Sequence, residues 1–162
     1  MTDAPTTSSV HAVALVIGEA GVLIEGLSGS GKSALALACI AAGRAQGRFA
    51  ALVSDDRVRL AALGGRLSAS GYTAIAGRVE RRGLRIETAP FCPQAVLRLV
   101  VKMVSGPEAA AVARLPWEEA PVVTRILGVT LPLLPLDSAR DRDDQVAMVL
   151  SAVKIASPQN AA

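Results

Sequence analysis

The stretch Val22-Leu-Ile-Glu25-Gly26-Leu-Ser-Gly-Ser-Gly31-Lys32-Ser33 decides how this chain is read. Val22 to Glu25 is a short apolar run that predicts a strand. Gly26 to Ser33 fits the phosphate-loop pattern G-x-x-x-x-G-K-[ST] at every fixed position. Ser33 to Gly43 predicts a helix, with Leu37, Ile40 and Ala41 on one face and Gly43 as its stop. The residue types follow from the chemistry. Glycines let successive backbone N–H groups turn toward phosphate oxygens, and a helix N-terminus adds its positive dipole. Gly26, Ser28, Gly29, Ser30, Gly31, Lys32 and Ser33 therefore form the expected nucleotide cradle. Lys32 would neutralise phosphate charge, and the Ser33 hydroxyl would hold Mg²⁺, which makes ATP and Mg²⁺ the expected ligands. A plain Gly/Ser turn carrying a chance lysine is the competing reading. Strand, full pattern and helix in sequence outweigh it.

Working outward, Ala12 to Ile17 predicts a strand that turns at Gly18–Gly21 into Val22–Glu25. Phe49 to Val53 is an apolar run that opens into Ser54-Asp55-Asp56, a pattern of a buried strand ending at a site. A phosphate loop needs a metal-supporting acid at the end of a nearby strand. One carboxylate of the pair can serve the metal while the other takes a proton from a nucleophile. By itself an Asp-Asp pair is more often a solvated turn. Val58–Ala62 and Arg66–Ser70 around Gly64-Gly65 predict a hairpin. Leu97–Val104 predicts another strand, Val122–Leu136 one or two more, and Arg142–Ala156 a closing amphipathic helix. The class is α/β, a phosphate-loop core of mixed β-sheet with flanking helices. Residues 10–156 are expected as one domain, 1–9 as a flexible arm and 157–162 as a flexible tail.

Composition narrows the function further. The chain has 162 residues, 51% of them hydrophobic and only 2% aromatic. It is neither disordered nor suited to stacking nucleic-acid bases. Seventeen Lys and Arg against fourteen acids give +3, too little for a nucleic-acid stripe. No apolar run reaches the roughly 18 residues of a membrane span, and the first ten residues lack the order of a signal peptide. A cytoplasmic chain without a nucleic-acid or membrane partner is expected. Cys39 and Cys92 have no metal-ligand spacing and are expected as buried thiols. His11, the only histidine, carries no role by itself.

With these pieces placed, the chain resembles the catalytic domain of bacterial HPr kinase/phosphorylase, most closely its short alphaproteobacterial form. The resemblance rests on His11 ahead of Gly26, the loop itself, Val53-Ser-Asp55-Asp56-Arg-Val58, and Ile75-Ala-Gly-Arg-Val-Glu80-Arg-Arg82-Gly83-Leu-Arg85-Ile86. It runs from about His11 to Val104. It implies an HPr kinase/PEP carboxykinase-like fold and a serine kinase acting on an HPr-like phosphocarrier. Asp55 would be the general base, and Asp56, Ser33 and Glu80 would surround Mg²⁺. Arg82 would stand near the transferred phosphoryl group or a neighbouring subunit, and His11 beside the Asp pair. The family's long forms are hexamers, so a homo-oligomer is implied. The reverse phosphorylase reaction belongs to the family as well, with an Arg- and Gly-rich C-terminal loop in the long enzymes. Arg140 and Arg142 lie in about that region with a different spacing, Arg85 stands where the signature has glycine, and Arg44–Arg48 resembles a short insertion. A small-molecule phosphate-loop kinase and a catalytically silent nucleotide-binding module are the alternatives.

Overall fold

The computed structural model describes residues 3–72, 77–81, 83–111, 117, 119 and 121–157, without the side chains of Glu80 and Arg81. Strands β1 (Thr6–Val10), β2 (Val13–Ile17) and β3 (Ala20–Glu25) precede helix α1 (Lys32–Ala45). Then come β4 (Ala50–Ser54), β5 (Val58–Leu63), β6 (Arg66–Ser70), β7 (Arg78–Arg81), β8 (Arg85–Thr88) and β9 (Gln94–Val104). A short α2 (Gly106–Ala110), β10 (Val122–Ile126), β11 (Val129–Asp137) and α3 (Arg142–Ala156) complete the order. The mixed α/β class is the one the sequence implies.

Nine strands join in one sheet in the order β1-β5-β6-β9-β3-β2-β4, with β11 and then β10 on the far part of β9. The sheet is mixed: β9 runs parallel to β3 and β11 but antiparallel to β6. Period-2 alternation sorts β2 cleanly. Val13, Leu15 and Ile17 join the core under the helices, while Ala12, Ala14 and Val16 face the second core inside the curled sheet. The long β9 changes faces along its length. Leu97 belongs to the inner core and Leu99 to the helix side, because the β3–β9 register slips where Gly21 pairs Leu97 and Val22 pairs Leu99. Gly21 permits the slip, since a Cβ there would lie 2.6 Å from the Val96 carbonyl oxygen. One strand thereby serves both cores.

Helix α1 buries Leu35, Ala36, Cys39, Ile40 and Gly43 against the sheet, and α3 buries Val149, Leu150, Ala152 and Val153 beside it. A fully buried Leu such as Leu35 contributes on the order of 1.5–3 kcal/mol by leaving water. The helix does not stop at Gly43. That residue is buried inside it, where a Cβ would come within 3.2 Å of Ala50 Cβ, and Gly47 at φ +75° turns the chain instead. The predicted Phe49 start of the next strand is also displaced: Phe49 is 56% exposed and β4 begins at Ala50.

The expected arm is corrected as well. Residues 6–10 form β1, an exposed edge strand paired over its whole length with β5, and Ser9 Oγ hydrogen-bonds Tyr72 Oη at 2.9 Å. A Thr/Ser run reads as a tail, but its hydroxyls suit an edge whose side chains face water. The tail residues 158–162 lie outside the described residues. Both cysteines are free thiols; Cys39 is buried, whereas Cys92 is only partly so. The Gly64-Gly65 hairpin stands as read, with both glycines at positive φ. The second reading of Val122–Leu136 holds: two strands, turning at Leu127-Gly128. No helix among the described residues is long and apolar enough to cross a membrane.

Candidate active site

Strand β3 ends at Glu25 and the chain loops over the C-terminal edge of the sheet before entering α1. Gly31, the residue before the helix, has φ +95°, a left-handed conformation that glycine takes without a Cβ penalty. It caps the helix without a side-chain hydrogen bond, and no acidic residue occupies the first turn. The first N–H groups of α1 thus have no intrahelical partner and no carboxylate of their own helix. Within the loop the Ser30 hydroxyl oxygen is buried without a hydrogen-bond partner. A buried orphan oxygen at the mouth of such a loop fits a polar ligand.

The loop opens into a cavity of about 730 Å³. Ser28, Gly29, Gly31, Lys32 and Ser33 line it from the loop side, and Asp55 and Asp56 from the turn after β4. The separate β7–β8 hairpin contributes Arg78, Val79, Leu84 and Ile86. Leu84 and Ile86 are 73% and 66% exposed, an apolar lip over a polar floor. Among the described residues, none that lines it is aromatic.

Lys32 and Ser33 anchor the loop as it stands. Lys32 Nζ donates to the Gly26 and Leu27 carbonyl oxygens at 2.9 and 3.0 Å, folding the ammonium back onto its own loop. Ser33 Oγ donates to Asp55 Oδ1 at 2.5 Å, joining the first turn of α1 to the end of β4. The turn after β4 separates the two acids. Arg57 N–H donates to Asp55 O at 2.8 Å, the Ser54 hydroxyl donates to Arg57 O, and Asp56 takes φ +67°. Asp tolerates that region better than most residues. Asp55 is held inward at 8% exposure, and Asp56 points to solvent.

The structure therefore brings Lys32, Ser33, Asp55 and Asp56 to one cavity. His11 is exposed at the corner between β1 and β2 and is not among the residues lining it. The Glu80 side chain and Arg82 lie outside the described residues. Arg85 is exposed on β8, opposite Arg81, and pairs with Glu87 at 3.6 Å. Sequence reasoning missed one contact at this site. Arg142 Nη1 donates to the Gly31 carbonyl oxygen at 3.3 Å across 111 positions of sequence. An Arg between two Asp in a polar turn gives no local sign of such a reach.

The model of the HPr serine kinase C-terminal domain matches residues 3–158, nearly the whole chain. The chain belongs to that family. No curated relative matches it. Among solved structures, the Hpr(Ser) kinase/phosphatase from Coxiella burnetii is similar to it with a TM-score of 0.69 and 27% identity, over 90% of this chain and 95% of that one. The HPr serine kinase family is one of serine phosphotransferases, and this member carries the loop, the paired acids and the mixed sheet in one arrangement.

A divalent metal can be weighed against this donor set. Among the described residues no three His, Cys, Asp or Glu side chains form a metal cluster of their own. What stands at the cavity is a hydroxyl and carboxylates, all oxygen donors, with the orphan Ser30 hydroxyl in the loop. Mg²⁺ suits such a set, because it takes few protein ligands and shares the rest with water and phosphate oxygens.

Proposed function

We propose that this HPr kinase family member transfers the γ-phosphoryl group of ATP to a serine hydroxyl of an HPr-like phosphocarrier protein. The observation that carries the reading is the Ser33–Asp55 contact beneath the open N-terminus of α1. In support of it, that contact holds the Asp55 carboxylate against the Ser33 hydroxyl, and both line the cavity.

Backbone N–H groups from Gly29 to Ser33 would surround the β- and γ-phosphates. Lys32, released from the Gly26 and Leu27 carbonyls, would neutralise their charge. Ser33 and Asp56, with Glu80, would hold Mg²⁺, which when bound offsets phosphate charge. Asp55 would accept the proton of the incoming serine as that oxygen bonds to the γ-phosphorus and the bond to the ADP oxygen breaks. Arg82 would stand near the transferred group. Most of the rate comes from positioning and charge, because phosphoryl transfer asks little covalent chemistry of the protein. In the phosphorylase direction, inorganic phosphate would attack the phosphoserine phosphorus as the serine O–P bond breaks, giving pyrophosphate and the free serine. The same Asp55 would take the proton of the attacking phosphate and return it to the serine oxygen.

Incubating the full chain with labelled ATP, Mg²⁺ and an HPr-type protein tests the reading, with small metabolites as parallel acceptors. Label on a serine of the carrier is expected. Label on a metabolite alone would replace it with a small-molecule kinase, and ATP binding without transfer to any acceptor would replace it with a silent module. Adding inorganic phosphate to the phosphorylated carrier reads the reverse step.

A further inference from the structure

The Gly31 carbonyl oxygen accepts two hydrogen bonds. Leu35 N–H closes the first turn of α1 from 2.9 Å, and Arg142 Nη1 donates from 3.3 Å. The approach depends on the missing side chain, since a Cβ on Gly31 would lie 2.9 Å from Arg142 Nη2. Arg142 is half-buried at the first position of α3. A cation is unfavourable at a helix N-terminus, so α3 gains nothing from the charge there.

The turn that delivers Arg142 is tightly held. Gln145, 1% exposed, donates from Nε2 to the Asp137 carbonyl at 3.0 Å, and Asp143 N–H donates to the Asp141 carboxylate at 3.1 Å. Ala139 N–H donates to Asp137 Oδ1 at 2.9 Å. The guanidinium therefore arrives at the loop from a rigid base. Cys39 on α1 reports the same closeness: burial pushes its thiol up to about 12, and the Arg142 charge works against that rise.

We propose that Arg142 is a positioning residue for the phosphate loop, fixing and polarising the Gly31–Lys32 peptide from behind. The Gly31 C=O and the Lys32 N–H belong to one planar trans peptide and point in opposite directions. A cationic donor on the oxygen holds that N–H pointing away from α3 and strengthens it as a donor, because hydrogen bonds through one peptide polarise each other. Arg142 touches no phosphate in this role; it acts through Lys32 N–H. The inference rests on the reading of the loop as a nucleotide-phosphate site.

The test compares wild type with Arg142→Met, which keeps the aliphatic stem, and Arg142→Lys, which keeps the charge. Two readouts are taken on the full chain: the Lys32 amide resonance without ligand, and the affinity and kinetics with ATP and Mg²⁺. Arg142→Met is expected to move the Lys32 amide and to raise the ATP KM by about tenfold, the size of one charge-assisted bond, with kcat within about twofold. Arg142→Lys should recover most of both. An unmoved amide with ATP affinity within about twofold of wild type overturns the proposal, and so does a lysine variant no better than methionine. If wild type itself binds no ATP, the nucleotide reading falls, and the amide alone decides the Arg142 contact. Should Arg142→Met fail to fold, Arg142→Gln carries the same comparison.

Discussion

The two long helices begin in opposite ways. α3 starts on Asp141, whose carboxylate caps it, and carries Asp143 and Asp144 in its first turn. α1 starts on a left-handed glycine with no side-chain cap and no acid in its first turn. Both ends face the same electrostatic demand, four unpaired N–H groups and the positive end of a macrodipole. α3 answers it with its own side chains and becomes a fixed support. α1 leaves it unanswered beside the cavity, where a ligand's phosphates can answer it. The acid that α1 lacks arrives from the turn after β4, as Asp55 on Ser33.

The largest effect tests that borrowed acid. Asp55→Asn should lower turnover by about 10²–10⁴, the usual worth of general acid–base catalysis, while nucleotide affinity changes little. Unchanged turnover would remove Asp55 from the chemistry. Lys32→Ala should weaken ATP binding by about 100-fold, the loss of one or two charge-assisted bonds of about 1.5–3 kcal/mol each, read by titration calorimetry.

A transplant sharpens the contrast directly. Ala34→Glu gives the first turn of α1 an acid, as α3 has. It should cut ATP affinity about tenfold through repulsion, yet leave thermal stability equal or higher, since an acid there gains about 0.3–1 kcal/mol from the dipole. Equal ATP affinity would mean that the open terminus is not what holds the phosphate. The converse, Asp141→Ala, should cost about 1 kcal/mol in urea unfolding, with ATP affinity within about threefold.

The smallest effect belongs to Glu25, the half-buried last residue of β3 before the loop. Burial raises its carboxyl above the usual range, and Lys102 partly opposes the rise. The folded chain then binds this proton more tightly than the unfolded chain. Stability should therefore decline as pH climbs above the ordinary carboxylate value. Urea midpoints across pH 4 to 7 should fall less steeply in Glu25→Gln than in wild type.

Much of this was legible in the sequence. The loop and the helix after it are local, because phosphate binding by backbone N–H groups dictates glycines, Lys32 and Ser33 within one short stretch. The α3 bounds follow from hydrophobic period, and the Gly64-Gly65 turn from positive φ at both positions. The pair Asp55-Asp56 was visible as a pair. Which acid turns inward was not, since that depends on the Ser54–Arg57 bond and the left-handed turn at Asp56.

By itself, then, the sequence determined the phosphate-loop pattern and the helix that follows it, because that pattern is written in adjacent residues. Tertiary structure decided what depends on pairing between distant ones. β1 became a strand only because the β5 edge was open to it, and β9 reached both cores only through the slip at Gly21. Arg142 met Gly31 only because α3 packs beside α1. A local pattern can specify a loop, but a contact across 111 residues exists only once the sheet and helices have set the distance.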